Sequence, residues 1–257
     1  MPVLNYVFAA LAAVAAGMIN ALAGGGTLIT FPVLLSIGIP AVSANVTNTV
    51  ALSPGFLGGT LAQSKDLIGQ RRRLWISLPA SILGGLVGGI LLLKTGEKLF
   101  TQLVPFLILL ASILLAFQNL VRKWLLQRRQ SGSQYVTSDV LIFFIVFGIT
   151  IYGGYFGAGM SVIVLAILGL IMNDNLVRLN AVKQAIALVT NVTAALFFVF
   201  SGKVFWLVAL VMAAGALIGG SLGGRLANRV KPDTLRVIVV TLGFILGAFY
   251  LVKTYFL

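Results

Sequence analysis

The stretch Asn45-Val-Thr-Asn-Thr-Val-Ala-Leu52 decides the fold, because the second half of the chain repeats it as Asn180-Ala-Val-Lys-Gln-Ala-Ile-Ala-Leu188. Both stretches place amides, hydroxyls or an amine inside a segment long enough to cross a bilayer. Each follows a glycine-rich interruption of an apolar run, at Ala23-Gly-Gly-Gly-Thr27 and at Phe156-Gly-Ala-Gly-Met160. A duplicated unit with broken helices and polar residues at matching depth is typical of secondary transporters.

The composition indicates an all-α polytopic membrane protein. Of the 257 residues, 60% are hydrophobic and only 9% are charged, whereas about a quarter of a soluble domain is charged. Apolar runs of about twenty residues recur along the whole length, so every run is a candidate membrane helix. The chain leaves no room for a separate soluble domain.

The charge pattern identifies the lipid bilayer, and not nucleic acid, as the partner of the basic residues. The net charge is +13, but the lysines and arginines collect in short loops beside apolar runs, as the positive-inside rule describes. The chain has no cysteine and no histidine, which removes thiolate chemistry, the commonest metal ligand and the commonest general base. We therefore expect neither an enzyme nor a bound metal or cofactor.

The apolar runs divide the chain into ten segments, of which the second and the seventh are short. The polar insert from Arg122 to Ser138 is predicted as a loop. The segments are predicted at Val3–Leu22, Thr27–Ile37, Ala41–Ala62, Leu74–Leu93, Leu99–Leu120, Val140–Tyr155, Met160–Ile171, Leu176–Phe200, Val204–Gly224 and Leu235–Leu251.

The spacing of glycines supports a repeat of five segments. Leu83-Gly-Gly-Leu-Val-Gly-Gly89 aligns with Ala214-Gly-Ala-Leu-Ile-Gly-Gly220. Glycines four residues apart predict helices that approach each other closely. The first repeat is predicted at residues 1–122, a basic cytoplasmic linker at 123–139, and the second repeat at 140–257.

The loop charges predict that the two repeats have inverted topology. Residues 65–73 are strongly basic, whereas their counterpart at 201–203 carries one lysine; the next pair of loops, 95–98 and 225–231, reverses this contrast. Because basic loops prefer the cytoplasm, equivalent loops lie on opposite sides of the membrane. Both termini then lie outside. This count takes the two short segments as crossing, or nearly crossing, the bilayer; re-entrant segments would change it.

These features resemble one known family. The duplicated architecture, Ala23-Gly-Gly-Gly-Thr27, Ala44-Asn-Val-Thr-Asn-Thr49 and Asn180-Ala-Val-Lys-Gln184 are similar to the TauE/SafE family, also called the sulfite exporter or 4-toluene sulfonate uptake permease family. The resemblance covers nearly the full length. It implies a multi-pass protein of the bacterial inner membrane that moves sulfur-containing anions such as sulfite and organosulfonates.

The residue chemistry independently favours an anionic substrate. All five acids, Asp66, Glu97, Asp139, Asp174 and Asp233, fall in loops or at segment ends, whereas cation carriers usually need a carboxylate inside the membrane. Amide, hydroxyl and ammonium donors lie inside instead, and they can replace the water around an anionic oxygen. The substrate-binding residues are predicted to be Gly24, Gly25, Gly26, Thr27, Asn45, Thr47, Asn48, Thr49, Gly157, Gly159, Ser161, Lys183, Gln184 and Asn191.

The glycine breaks have two interpretations. If helices begin near Thr27 and Ser161, their unpaired N–H groups carry the positive end of the helix dipole, equivalent to about half a charge, and two such ends can face one anion. Alternatively, the glycines only form tight turns between helices. Neither break is a nucleotide P-loop, because the Gly-Lys-Ser/Thr ending is missing.

Lys183 is the sharpest single candidate, about seven residues into its segment. An ammonium inside a membrane is costly unless it is partnered, which points to a ligand. The alternative is that its long side chain reaches the cytoplasmic interface. For the amides of Asn48 and Gln184, the alternative to ligand binding is hydrogen bonding between helices.

The sequence thus predicts a secondary carrier for a small anion that works by alternating access. The alternatives are an anion channel and a carrier of a non-sulfur organic anion. The direction of transport is open, and so is the coupling: a uniport driven by the membrane potential fits at least as well as proton coupling. A homodimer is possible.

Overall fold

The computed structural model describes residues 2–22, 25–130, 138–172, 174–226 and 232–256. Within these ranges the chain forms α-helices, one 3₁₀ turn at Ser64–Leu67, and no strand. The helices are α1 (Val3–Leu22), α2 (Thr27–Ser36), α3 (Ala41–Ala62), α4 (Arg71–Gln130), α5 (Asp139–Tyr155), α6 (Met160–Ile171), α7 (Leu176–Val199), α8 (Trp206–Leu226) and α9 (Pro232–Tyr255).

The predicted segments match these helices, with one difference at α4. This helix covers the predicted fourth and fifth segments and is broken at Gly96, whose φ of 74° and ψ of 169° are not helical. Only glycine adopts such a backbone conformation without strain. The break divides α4 into a first arm, residues 71–95, and a second arm, residues 97–130.

The prediction of a loop from Arg122 onwards is wrong for residues 122–130, which continue the second arm as helix. Arginine, lysine, leucine and glutamine all have high helix propensity, so a polar composition alone does not end a helix. Residues 131–137 of the predicted linker lie outside the described residues.

One end of the bundle, here called the basic end, gathers the starts of α4, α5 and α7. Arg72 pairs with Asp139 at 2.8 Å, and Arg73 pairs with Asp174, just before α7. The Gln70 side chain donates to the backbone oxygen of Arg178 at 3.0 Å. These contacts place Arg72, Arg73 and Arg178 on the same side of the molecule as the start of α5.

The opposite end, here called the far end, gathers the starts of α1 and α3 and the break in α4. The Asn5 amide donates to the Ile37 oxygen at 3.5 Å. The Val42 N–H donates to both carboxylate oxygens of Glu97, each at 3.2 Å. Glu97 therefore satisfies an N–H in the first turn of α3, which no residue on α3 itself caps.

The short helices α2 and α6 return along the helices that precede them. They have 10 and 12 residues, and thus rise about 15 and 18 Å, roughly half of the ~30 Å hydrocarbon core. Neither is long enough to cross alone. At the far end, α1 begins and α2 ends; at the basic end, α5 begins and α6 ends. The directions of α3 and α7 are therefore the same however deep each hairpin reaches into the membrane.

The glycine pairs lie at close helix crossings, which confirms the packing predicted for them. A Cβ on Gly84 would lie 2.7 Å from the Phe147 oxygen on α5. A Cβ on Gly215 would lie 2.7 Å from the Ala10 oxygen on α1. The first arm of α4 thus packs on α5, and α8 packs on α1, at backbone distances that any side chain would prevent.

Candidate functional site

A cavity lies where the N-termini of α2 and α6 meet the middles of α3 and α7. The cavity is small and partly open on one side. Six of the residues predicted from sequence to bind substrate line it together with four apolar residues. The lining is Thr27, Asn48, Thr49, Leu52, Phe56, Phe156, Gly157, Met160, Ser161 and Asn191.

The first half contributes the N-terminus of α2. This helix begins at Thr27 after Gly26, and no side chain caps it. The Gly26 N–H donates to Asn20 Oδ1 at 2.8 Å, which ties the break to the end of α1. Gly25 has a φ of +94°, so the turn requires glycine there. Gly24 lies outside the described residues.

The second half contributes the N-terminus of α6. This helix begins at Met160 after Gly159, again without a side-chain cap. Gly157 and Gly159 have φ angles of +77° and +78°, which only glycine adopts freely. The predicted helix starts are therefore confirmed, and the positive ends of two short helix dipoles border one cavity. Their binding of an anion stays a prediction.

The α3 wall is polar toward the far end. Asn48 Nδ2 donates to Thr27 Oγ1 at 3.5 Å, which links α3 to the start of α2. Asn48 is 2% exposed, and its Oδ1 has no hydrogen-bond partner. The Thr49 hydroxyl donates to the Asn45 oxygen one turn earlier, at 2.9 Å. The hydroxyl thus keeps lone pairs, and the Asn48 amide is held at the cavity by one long bond.

The α7 wall contributes Asn191. Its Nδ2 donates to the Ala187 oxygen in the same helix at 2.9 Å, and Ser53 from α3 donates to its backbone oxygen at 3.5 Å. These bonds fix the side of α7 that faces α3. Ser161, in contrast, has no side-chain hydrogen bond within the described part of the chain, so its hydroxyl can bind a ligand.

The apolar lining was missed in the sequence. Leu52 and Phe56 follow Asn48 by one and two helical turns, so helical spacing from Asn48 is the signal that identifies them. Phe156 and Met160 flank the second glycine break, and no spacing rule marks them as lining residues. Small-molecule sites usually combine an apolar wall with a few placed polar groups, and this cavity has a larger share of polar residues than that.

An aromatic cluster closes the cavity toward the far end. Phe156 packs edge-on against Phe31, with ring centroids 5.3 Å apart. Phe100 contacts Phe31, Phe156 and Tyr155 at centroid distances of 5.6 to 6.4 Å. Phe31 and Phe100 are fully buried. On the basic side, Phe56 is the one aromatic residue among those that line the cavity, and it is partly exposed.

Two predicted residues of α3 serve the packing of helices and do not line the cavity. Asn45 Nδ2 donates to the Tyr155 oxygen at 2.8 Å, where α5 ends. Thr47 Oγ1 accepts from the Phe205 N–H at 3.1 Å, just before α8. Both side chains are almost fully buried. The side chains of these two residues hydrogen-bond to other segments, as many polar groups in membrane helices do.

Lys183 and Gln184 lie on α7 between the cavity and the basic end. The Gln184 amide stands beside Gly59 of α3, and its backbone oxygen accepts from Thr60 Oγ1 at 3.3 Å. Lys183 is half-buried, and no hydrogen bond or ion pair to it occurs among the described residues. The sequence predicted that both side chains contact the substrate. Neither side chain lines the cavity, so the structure does not place either in contact with a ligand there.

An ion-pair cluster holds the basic end together. Asp174 accepts from Arg73 and from Arg178, the latter at 2.9 Å, and also from the Asn175 N–H at 2.8 Å. Burial raises the pKa of the Asp174 carboxyl, but the two guanidinium groups and the Asn175 N–H outweigh this and hold the pKa below its ordinary value. The carboxylate is therefore ionised at neutral pH and links α4 to the loop before α7.

The chemistry of the cavity is that of hydrogen-bond donation. Two helix N-termini, the hydroxyls of Thr27 and Ser161, and the amides of Asn48 and Asn191 can donate into it. The Thr49 hydroxyl donates to the Asn45 oxygen instead, and no carboxylate is among the lining residues. All five acids lie at helix ends or in loops, as predicted. Such a lining can replace the hydration of an anion with protein donors, whereas it offers a cation no charge compensation.

Comparison with known proteins identifies a family. The family described as "Sulfite exporter TauE/SafE" matches residues 9–250. A "Probable membrane transporter protein" from Haemophilus influenzae is 28% identical over 91% of this chain and 89% of its own length. The "Probable membrane transporter protein YfcA" from Escherichia coli K12 is 25% identical over 92% of this chain and 86% of its own. A "Probable membrane transporter protein ORF9" from Sinorhizobium sp is 26% identical over 93% and 90%.

No solved structure matches the chain significantly. The family match spans almost the whole sequence, both glycine breaks and every helix that borders the cavity. On this evidence the chain is a membrane transporter that belongs to the TauE/SafE sulfite exporter family.

Proposed function

We propose that this protein is a secondary transporter that carries a small anion, a sulfur-containing oxyanion or an organosulfonate, across the bacterial inner membrane by alternating access. One observation carries the proposal: the uncapped N-termini of two half-length helices, one from each half, border the same donor-lined cavity. Half-helices whose N-termini point at an anionic group are a recurring device of secondary transporters.

The substrate class follows from the donors and from the family. The family description names sulfite, and the relatives are described only as probable membrane transporters. A sulfite or sulfonate group presents three oxygens that accept hydrogen bonds, which suits a ring of hydroxyl, amide and backbone donors. Carboxylates present two such oxygens, so a non-sulfur organic anion is the second candidate.

Inverted repeats are part of this proposal, and the helix contacts support them. Gly84 and Gly88 of the first half pack on Phe147 and Ile151 of the second. The corresponding glycines of the second half, 131 positions later in the sequence, are Gly215 and Gly219. They pack on the first helix of the first half, at Ala10 and Val14. Each half thus packs its fourth segment against the first segment of the other, as two-fold related repeats do, and the inversion itself rests on the loop charges.

The orientation follows from the charges. The basic end carries Arg72, Arg73 and Arg178, so we assign it to the cytoplasm. Helix α1 begins at the far end. Helix α9 ends there, since Tyr255 donates to the Gln102 oxygen in the second arm of α4. These are the described helices nearest the two termini. Both termini are then on the outer side. An inside-negative potential favours anion export by about 2.3 kcal/mol per charge per 100 mV, so a uniport needs no coupling ion.

Counterflow in proteoliposomes tests the function. We expect external labelled sulfite to accumulate transiently when the vesicles are loaded with unlabelled sulfite, because a carrier exchanges substrate through one alternating site. Single-channel currents without counterflow would assign the chain to the alternative, an anion channel. No movement of sulfite, sulfonates or small carboxylates would contradict the proposal altogether.

A further inference from the structure

The helix starts and the long helices offer a ligand in the cavity different hydrogen-bonding groups. The starts of α2 and α6 offer donors, through the positive ends of the helices and the hydroxyls of Thr27 and Ser161. Neither hydroxyl donates a hydrogen bond to another group in the described part of the chain. Because the oxygens of an anion can only accept, the charged group of a ligand fits best at these helix starts.

The α3 and α7 walls, in contrast, offer acceptors. The Thr49 hydroxyl donates to the Asn45 oxygen at 2.9 Å, so toward a ligand it can only accept. Asn191 Nδ2 donates to the Ala187 oxygen at 2.9 Å. Because a carbonyl oxygen cannot donate, this bond fixes which end of the Asn191 amide is nitrogen. Its Oδ1 accepts no hydrogen bond from the described residues.

Asn48 carries the most deeply buried of these acceptors. The residue is 2% exposed, and its Nδ2 donates to Thr27 Oγ1 at 3.5 Å. Its Oδ1 receives no hydrogen bond within the described ranges. A buried amide oxygen that has lost water without gaining a partner is unfavourable. Because Asn48 lines the cavity, a ligand there can supply the missing donor.

We infer that the substrate is an anion that carries a hydrogen-bond donor of its own: hydrogen sulfite in place of the sulfite dianion, or a sulfonate that also bears a hydroxyl group. Its anionic oxygens bind at the starts of α2 and α6, and its O–H group donates to the acceptors of Asn48, Thr49 and Asn191. This substrate class rests on the proposed transport of a sulfur-containing anion. It adds the protonation state, or the second functional group, that the substrate must have.

Two sulfonates that differ by one hydroxyl group test this substrate class. Ethanesulfonate and 2-hydroxyethanesulfonate have the same charged group and the same carbon chain. We expect the purified wild-type protein in detergent to bind the hydroxy compound about tenfold more tightly or better, because the other compound leaves buried acceptors unpaired. Equal affinities, or tighter binding of ethanesulfonate, would overturn the inference.

Thr49→Val tests the acceptors on α3. The substitution removes an acceptor but no donor to the ligand, because the hydroxyl proton is already bonded to the Asn45 oxygen. The preference for the hydroxy compound should therefore fall severalfold while the affinity for ethanesulfonate changes little. A purely structural defect would weaken the binding of both compounds alike.

The matched control is Thr101→Val on the exposed second arm of α4. The Thr101 hydroxyl makes the same kind of bond, to the Glu97 oxygen one turn earlier, so its removal should leave the preference unchanged. Asn48→Leu is the second test variant and should also reduce the preference. A preference as large as that of wild type in both Thr49→Val and Asn48→Leu would overturn the inference.

The pH dependence of sulfite binding distinguishes the two sources of the donor. If hydrogen sulfite is bound, the affinity for total sulfite should rise as the pH falls, in proportion to the hydrogen sulfite fraction. No titratable side chain lines the cavity; of the helices around it, α5 carries Tyr152 and Tyr155, and α7 carries Arg178 and Lys183. Ethanesulfonate, measured over the same pH range, reports any titration of these groups. A hydroxyl preference without this rise would identify a hydroxysulfonate as the substrate.

The binding experiment and the counterflow experiment fail in different ways. Equal affinities for the two sulfonates, together with sulfite counterflow, would contradict the need for a donor and leave the carrier function intact. No binding of sulfite or of either sulfonate would contradict the proposed function, and the substrate class with it.

Discussion

At the scale of single residues, neighbours in one motif have different roles. Asn45 and Thr47 join α3 to other segments through single buried hydrogen bonds. Asn48 and Thr49 line the cavity. The repeated sequence identified all four as polar groups at one depth, but a helix turns by about 100° per residue, so only some of them can face the same space.

Asp174→Asn should destabilise the protein at neutral pH. The charge-assisted bonds from Arg73 and Arg178 are lost, and we expect a cost of about 1–3 kcal/mol. The measurement is thermal unfolding of the purified protein in detergent. Lys65→Gln, which removes a charge from the same end without breaking an ion pair, is the control.

The effect of Asp174 should depend on pH in one direction. Because hydrogen bonds from the arginines hold its pKa below the ordinary value in the folded protein, its contribution is present above the unfolded pKa of about 3.9 and is lost as the pH falls through the folded pKa. The stability difference between wild type and Asp174→Asn should therefore shrink below about pH 4. A difference that grows on acidification would contradict this role.

At the scale of helices, the glycines belong to two classes. Gly84, Gly88, Gly215 and Gly219 stand where another helix backbone passes, whereas Gly55, Gly58 and Gly148 face open space. The spacing of glycines in the sequence does not distinguish the two classes. They differ only in what the neighbouring helix places opposite them.

Gly219→Ala should be strongly destabilising, because its Cβ would collide with the backbone oxygen of Val14. Overpacking of this kind costs about 1–3 kcal/mol or more. Gly148→Ala, also in a helix but without a neighbour, should be neutral or slightly stabilising, since alanine favours helix over glycine by roughly 1 kcal/mol. Equal unfolding temperatures for the two variants would refute the close crossing of α1 and α8.

Helix starts and ends were predictable from the sequence because glycine, proline and charged residues interrupt apolar runs. The prediction was least reliable at the second arm of α4, where arginine and lysine continue a helix beyond the apolar run. In the site, six predicted residues surround one cavity. The positions of Lys183 and Gln184 were not predictable, because the depth of a residue along α7 does not say what α3 places opposite it.

At the scale of the whole molecule, the two halves build one site from elements that neither half completes. Residues of α2 and α3 form one wall, and residues of α6 and α7 form the other. The aromatic cluster around Phe100 and Phe156 closes the far side of the cavity.

Single cysteines test the orientation of the molecule in the membrane. Lys203→Cys, at the far end, should react with an impermeant thiol reagent added to intact cells after the outer membrane is made permeable. Lys65→Cys, at the basic end, should react only when the inner membrane is opened, since basic loops stay in the cytoplasm. Labelling of both positions from the same side would contradict the arrangement of helix ends described above.

The central claim is that the cavity binds the anion, and equilibrium binding of sulfite to the purified protein tests it most directly. We expect saturable binding by wild type that weakens by about tenfold or more in the double variant Ser161→Ala with Asn48→Leu, because charge-assisted hydrogen bonds are lost. Ser221→Ala on the exposed face of α8 should bind as wild type does. Undiminished affinity in the double variant would show that the anion binds elsewhere.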